Sequence, residues 1–347
     1  MNDFSKYFMD ECQSVLDALK RLNSFGKNEA LTLFIVDING SMVGSLTDGD
    51  IRRKLVEGIS LSYPLSQIMH RDFLFLNSKK ISISDIHRFK EKGIVLIPVL
   101  DEYKKVVDVL NLKHQKSLLP IDAVLMAGGK GERLRPLTER TPKPLLKVGD
   151  KSIIDYNIDR LVDFGVKHIS VTVNYLHEQI EDHFAEKRSG IQVQCICEPD
   201  FLGTIGSVKF VETFHNDTVL VMNSDLFTNI DYEDFYLHFK EHGADMSIAA
   251  IPYSVSVPYG IFELRGHDIK GVYEKPIYNY YANGGIYLIK RELLEKIPNS
   301  TFFNATDFME MLLHDKKKII RFPLIGYWID IGKPEEYIKA QELAKYF

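Results

Sequence analysis

Short apolar runs separated by polar stretches with helical spacing set the rhythm of this chain. Leu33-Phe34-Ile35-Val36-Asp37 reads as a strand, and Ile38-Asn39-Gly40-Ser41 after it as a hairpin turn, because Asn and Gly tolerate a tight reversal. Met42-Val43-Gly44-Ser45-Leu46 is a second strand, and Thr47-Asp48-Gly49-Asp50 then caps a helix through Arg52 and Leu55. A helix over 84–92, a strand over 94–101 and a further strand over 106–110 follow. The first third of the chain therefore reads as two degenerate copies of one small α/β unit. Polar 111–117, with Pro120 behind it, marks a seam and sets the expected domains at 1–117 and 121–347.

Past the seam the pattern alternates. Strands are predicted over 121–126, 167–173, 191–197 and 219–222, with helices over 177–184, 206–214 and 232–241 between them. That βαβ rhythm predicts a Rossmann-like, mostly parallel sheet with ligands at the C-terminal ends of its strands. After Ala244 strands dominate, which suggests an appended acceptor-binding half.

The composition narrows the function classes. The 347 residues are 45% hydrophobic and 26% charged, ordinary for a globular protein, and the net charge is −5. The first 117 residues carry +2 and the remainder −7. No broad basic field exists to hold nucleic acid or an anionic membrane, so an anionic ligand must meet local cations or a metal. Cys12, Cys195 and Cys197 form no metal or disulfide pattern, which fits a reducing compartment. Cys195 and Cys197 alternate on one strand and are expected to share a core-facing side. The opening Met1-Asn2-Asp3-Phe4-Ser5 is no secretory leader, and no apolar run reaches membrane-spanning length, so a cytoplasmic location is expected.

The densest chemistry follows the strand ending at Leu125-Met126. Ala127-Gly128-Gly129-Lys130-Gly131-Glu132-Arg133-Leu134 is a glycine turn carrying Arg133, and Lys143 stands between Pro142 and Pro144. Glycines let backbone N–H groups approach phosphate oxygens, and two cations then face the same anion, so the loop suits a nucleoside triphosphate. Leu134 stands where a dinucleotide fingerprint needs its last glycine, and no Gly-Lys-Ser/Thr of a Walker A loop is present. G-G-x-G-x-R-L followed by P-K-P-L resembles the signature of the sugar-1-phosphate nucleotidyltransferases. The resemblance implies nucleotide contacts from Leu125, Ala127, Gly128, Gly129 and Gly131, and catalytic roles for Arg133 and Lys143.

Two strands carry acids. Val221-Met222-Asn223-Ser224-Asp225 is apolar and ends in a carboxylate, and Trp328-Ile329-Asp330-Ile331-Gly332 sets an acid among apolar neighbours. In the resembled family these motifs supply the aspartates that bind Mg²⁺, so the resemblance implies Asp225 and Asp330 as metal ligands. Glu198-Pro199-Asp200-Phe201-Leu202-Gly203-Thr204-Ile205-Gly206 is similar to the family's base-reading loop, implying Glu198, Gly203 and Thr204 at the base. A carboxylate at Glu198 accepts from guanine N1–H and N2–H₂ together, whereas uracil or thymine would set carbonyls against it, which favours GTP. Pro258-Tyr259-Gly260-Ile261, Tyr273-Glu274-Lys275-Pro276 and Asn283-Gly284-Gly285 resemble acceptor-binding strands. Gly260, Glu274 and Asn283 are then expected at the sugar, and Lys275 at its phosphate.

The implied reaction joins GTP to a sugar 1-phosphate and releases pyrophosphate. A catalytically dead nucleotide sensor is the competing reading. The first module resembles a tandem CBS-domain pair, a family whose S/T-x-x-D motif holds adenosine ribose. Thr47 and Asp50 fit that motif and equally fit a plain helix cap, while copy two lacks the acid at Asn111-Leu112. An adenine nucleotide at this pair and a homo-oligomer are further expectations. A CBS pair ahead of such a module is most similar to the glucosamine-1-phosphate guanylyltransferases of bacterial legionaminic acid synthesis. Mannose-1-phosphate and heptose-1-phosphate guanylyltransferases are the close alternatives.

Overall fold

The computed structural model describes residues 4–27 and 29–346; the first three residues of the opening segment read above lie outside them. The chain divides into two compact units, Met1–Leu118 and Leu119–Phe347.

In the first unit, strands Phe8–Asp10, Thr32–Val36 and Met42–Thr47 form one sheet, with helix Val15–Asn23 as the crossover between the first two. The first pair is parallel and the second antiparallel. Strands Leu76–Asn77, Leu96–Leu100 and Val106–Asn111, with helix Ile83–Glu91, repeat the same order and the same senses. The duplication read from the sequence is thus a duplication of topology. Leu33, Ile35, Leu46 and Ile51 make the core of the first copy, on the apolar faces that the strand and helix periods predict.

The second unit is built on a seven-stranded sheet. Its strands are β1 (Asp122–Met126), β2 (His168–Val173), β3 (Val193–Cys197), β4 (Thr218–Asn223), β5 (Met246–Ser256), β6 (Ile277–Lys290) and β7 (Ile319–Pro323), in the order β3-β2-β1-β4-β6-β5-β7. β1 to β4 are mutually parallel, and β6 enters antiparallel between β4 and β5. Val124, Val219, Val221, Ile289 and Phe308 are among its core residues. The parallel strands read as continuous apolar runs because helices cover both faces. Asp122, buried at the start of β1, accepts from the backbone N–H groups of His215 (2.7 Å) and Asn216 (2.9 Å) and so satisfies its charge.

Two expectations need correction. The segment 206–214 forms only a 3₁₀ turn, Gly206–Phe210, and is extended from Val211. The N–H groups of Ile205 and Gly206 go to the carbonyl of Phe303 instead, and a Cβ at Gly206 would meet the Thr301 carbonyl at 2.9 Å. Cys195 and Cys197 are not core residues: β3 is an edge strand, Cys195 is half-buried and Cys197 exposed.

β5 and β6 outrun the sheet. Residues 284–289 of β6 are buried, whereas every residue from 252 to 283 is exposed or half-buried. This stretch is a ribbon that carries the hairpin Ile261–Arg265 and Asp268–Tyr273. Among the described residues, no helix is long and apolar enough to cross a membrane.

Candidate active site

The C-terminal ends of β1, β2 and β4 open onto a cavity of about 600 Å³ lined by Gly128, Gly131, Arg133, Lys143, Glu198 and Asp225, among others. Gly131 sits at φ +63, and a Cβ there would meet Thr138 at 3.0 Å and the Lys143 side chain at 3.1 Å. At Gly128 a Cβ would lie 1.8 Å from Glu198 Oε1. The two glycines are thus required by close approach, and the turn they form lies directly against the Glu198 carboxyl. Gly129 lines the cavity with nothing near its own Cβ position. Ala127 donates its N–H to the Thr172 carbonyl at 2.8 Å and also lines the wall. Leu125 does not: it is fully buried in β1, and Met126 reaches the cavity in its place.

Lys143 occupies a short 3₁₀ turn, Lys143–Leu145, braced by Pro142 and Pro144, and is 8% exposed. Its ammonium pairs closely with the Asp225 carboxylate and lies 3.8 Å from Asp330 Oδ1. The two acids meet because strand Leu226–Thr228 pairs antiparallel with strand Trp328–Asp330, setting Leu226 opposite Asp330. Ile331 donates its N–H to the Asp225 carbonyl at 3.2 Å, closing that junction. Burial, and then the nearby Asp225 charge, raise the Asp330 pKa, while Lys143 and Arg133 oppose the shift. Asp225 Oδ1 is buried with no hydrogen-bond partner. Arg133 leans on Gly332, where a Cβ would meet its guanidinium at 2.9 Å.

Glu198 is 2% exposed, and its carboxyl accepts from the Leu202 N–H at 3.2 Å. Burial pushes its carboxyl up to about 7. Asn174, just past the end of β2, donates to the Glu198 carbonyl at 3.1 Å. Gly203 adopts φ +80, where a Cβ would strike the Phe303 carbonyl at 2.7 Å. Thr204 accepts from the Ala305 N–H at 2.8 Å, which ties this loop to the start of helix Ala305–His314.

A second cavity of about 270 Å³ shares Thr204 and Asn223 with the first and reaches Asn283, Tyr287, Trp328 and Asp330. Asn283 donates to the Tyr287 hydroxyl at 2.9 Å and accepts from the Gly285 N–H at 3.0 Å. Trp328 donates to the Gly284 carbonyl at 2.9 Å. Asp330 therefore faces both the Lys143–Asp225 pair and the second cavity.

The structure brings Arg133, Lys143, Glu198, Gly203, Thr204, Asp225, Asn283 and Asp330 onto these two cavities. Gly260, Glu274 and Lys275 are left out: they lie together on the exposed ribbon, Glu274 beside Gly260, and line neither cavity. Sequence reasoning missed Asn174, Asn223 and Trp328, and also Asn304, which lines the second cavity. Asn174 and Asn223 stand at strand C-termini, a position that itself signals a ligand wall in this architecture. Asn304 carried no such signal.

In the first unit, Thr47 and Asp50 make a complete capping box on helix Asp48–Val56. One Asp50 oxygen accepts from the Thr47 N–H (2.8 Å) and hydroxyl (2.6 Å), and the other binds Arg53 and His70. The Thr47 hydroxyl bond offsets burial and, with His70, holds the Asp50 carboxyl down at about 2. Neither residue lines a cavity described here. One cavity of about 620 Å³ lies at copy one, against Leu19, Phe25, Asp48 and Arg52, and another of about 320 Å³ lies at copy two, where Asn111 and His114 meet Lys6 and Glu29 of copy one. The polar atoms of Thr47 and Asp50 are engaged by the capping box, Arg53 and His70, so a ribose at copy one would have to displace these partners.

Residues 122–345 match the family model described as Nucleotidyl transferase. A mannose-1-phosphate guanylyltransferase catalytic subunit beta of Xenopus tropicalis is 30% identical over 226 residues, 62% of this chain and 62% of that protein. A mannose-1-phosphate guanyltransferase of Schizosaccharomyces pombe is 30% identical over 227 residues, again 62% of each. The chain thus spans about 62% of the length of these relatives. Among solved structures, HddC from Yersinia pseudotuberculosis superposes with a TM-score of 0.52 at 26% identity, covering 65% of this chain and 99% of that one.

Proposed function

This chain belongs to the nucleotidyl transferase family, and from that premise we propose that it transfers the guanylyl group of GTP to a sugar 1-phosphate, giving a GDP-sugar and pyrophosphate. The observation that carries the reading is Lys143 between Asp225 and Asp330 at the foot of the glycine turn, with Glu198 buried against Gly128. Glu198, once ionised, accepts from guanine N1–H and N2–H₂. The N–H groups of residues 128–131 and Arg133 hold the β- and γ-phosphates, which depart as pyrophosphate. Lys143 neutralises charge that builds on the α-phosphate as the sugar phosphate oxygen attacks phosphorus. The acceptor phosphate is already ionised at neutral pH, so the step needs no general base. Repulsion between two anions is the obstacle.

Mg²⁺ is the proposed cofactor, held by Asp225 and Asp330. The orphaned Asp225 Oδ1 and the two hard carboxylates fit an ion that takes few protein ligands and fills its shell with water and phosphate. When bound, it supplies Lewis-acid neutralisation of the α-phosphate.

The acceptor sits in the second cavity, with Asn283 and Trp328 beside its sugar. Lys275 serves the acceptor phosphate, and Glu274 a sugar hydroxyl pair, when the ribbon bends over that cavity. Glucosamine 1-phosphate is the proposed acceptor, on the resemblance of the two-part chain. Mannose 1-phosphate is the second reading, favoured by the names of the 30%-identical relatives. The first unit is proposed as a CBS pair that takes an adenine nucleotide at the copy-two cavity, with His114 in place of the missing acid.

A grid of four nucleoside triphosphates against several sugar 1-phosphates, scored by pyrophosphate, tests the activity. GTP with one sugar phosphate is the expected hit. UTP or dTTP in its place would overturn the base reading, and silence across the grid would leave the dead sensor. For the first unit, His114→Ala is expected to weaken AMP binding and Asp50→Ala to leave it intact; the reverse would restore the site to copy one.

A further inference from the structure

Two loops beside the larger cavity are tied together by their backbones. Phe303 donates its N–H to the Leu202 carbonyl at 2.9 Å, and its own carbonyl accepts from Ile205 and Gly206, each at 3.2 Å. Thr204 takes the Ala305 N–H at 2.8 Å. Backbone 202–206 and 303–305 therefore hold one another in the free protein. Each loop presents one phenylalanine next to this junction. The rings of Phe201 and Phe302 meet edge to face, with centroids 6.0 Å apart and planes at 63°.

These two rings do not serve the core. Leu202, beside Phe201, is buried, and Phe303, beside Phe302, packs on the core cluster that contains Phe308. Phe201 is 49% exposed and Phe302 56%. A lone apolar ring in water is ordinary on a protein surface. Two rings held in contact by a fixed pair of loops, one of them in a cavity wall, call for another cause. Phe201 lines the 600 Å³ cavity and is the one aromatic side chain among the described residues of that wall. An edge-to-face contact with Phe302 leaves at least one face of the Phe201 ring open.

The neighbouring acid indicates what covers that face. Glu198 stands three residues before Phe201 in the same turn and lines the same cavity. A carboxylate engages a base only along its edge, so the flat faces of the base still need cover. Bare faces would keep water on the largest apolar surface of the ligand. An aromatic ring is the natural cover, because every base has a π-face and stacking does not depend on base identity.

We propose that Phe201 stacks on the guanine whose edge Glu198 reads, and that Phe302 is a positioning residue that holds the Phe201 ring in place. Phe201 then supplies affinity and Glu198 supplies choice. The stacking rests on the nucleotide reading proposed above, and its test separates the two.

Calorimetry on the full chain, with GTP, GMP and inorganic triphosphate as ligands, is the test. Phe201→Ala is expected to raise the Kd for GTP and for GMP alike, by about ten- to a hundredfold. Binding of inorganic triphosphate, which has no base, should not change. Phe201→Tyr should keep the affinity for GTP, and Phe201→Leu, apolar but not planar, should lose most of it. Phe302→Ala should weaken GTP and GMP by about two- to tenfold, again with inorganic triphosphate unaffected. An Ala variant at 201 that binds GTP as the wild type does, a Leu variant as good as the Tyr variant, or an equal loss for inorganic triphosphate would each overturn the stacking alone. A wild type that does not bind GTP would overturn the nucleotide reading and the stacking with it.

Discussion

Two lysines assigned to neighbouring phosphates live in opposite surroundings. Lys143 is 8% exposed, clamped between prolines and paired with Asp225 before any ligand arrives. Lys275 is exposed at the end of an uncovered hairpin, at φ +44, on a segment that lines neither cavity. The proposed nucleotide side is organised by the core of the sheet, so its electrostatics are in place in the free protein. The proposed acceptor side hangs from strand extensions with no core of their own. Preorganised charge contributes to rate, while charge that must be brought into place costs part of its binding energy in ordering. The nucleotide side should therefore respond to mutation mainly in kcat, and the ribbon mainly in the acceptor KM.

The largest effect is expected at the foot of the turn. Asp225→Asn should lower kcat by about 10³-fold or more, with the folded state preserved by thermal melting. Near-normal turnover would remove Asp225 from the chemistry and with it half of the contrast. Next comes Glu198→Gln, which should cut the preference for GTP over UTP in kcat/KM by about 10–100-fold, the worth of a charge-assisted bidentate contact.

The same acid gives the comparison a pH axis. Burial raises the ligand-free Glu198 carboxyl to about 7, and the proposed guanine contact requires its ionised form. The KM for GTP should fall as pH rises toward 7 and level off above it. Stability should run the other way. The folded pKa is raised from 4.5 to about 7, so the folded state holds the extra proton in that window and becomes less stable as pH climbs through it. Glu198→Gln should flatten both curves.

On the ribbon, Lys275→Ala should raise the sugar-phosphate KM about tenfold and leave GTP affinity alone, measured by calorimetry. A loss in kcat with unchanged KM would mean that the ribbon is already in place and that the two lysines do not differ in preorganisation. The smallest effect lies outside both walls: Thr47→Ala should weaken helix Asp48–Val56 by about 1 kcal/mol, read as faster amide exchange over 51–55.

Much of the wall of the larger cavity was legible in the chain because it is local. The Gly128–Gly131 turn, Arg133 and Lys143 fall within one short stretch, and the strand before them is a continuous apolar run. Asp225 was visible as an acid ending such a run. The segment 206–214 misled because its helical spacing competes with the Phe303 carbonyl, a partner nearly a hundred residues away. Cys195 and Cys197 misled because alternation reports a shared face without reporting whether that face lies at a sheet edge. Thr47 and Asp50 show the same limit: a capping box and a ribose site call for the same residue types, and only the positions of Arg53 and His70 reveal that the carboxylate is already satisfied.

By itself, then, the sequence determined which side chains carry charge and which strands and turns hold them, since periodicity and turn chemistry act over a few residues. Tertiary structure decided what those charges meet. Pairing Leu226 with Asp330 closes about a hundred residues of chain to set Asp330 near Lys143, and Glu198 comes against Gly128 across three strands. It also decided that the ribbon lies outside the core, because exposure depends on every other segment of the molecule and no local pattern encodes it.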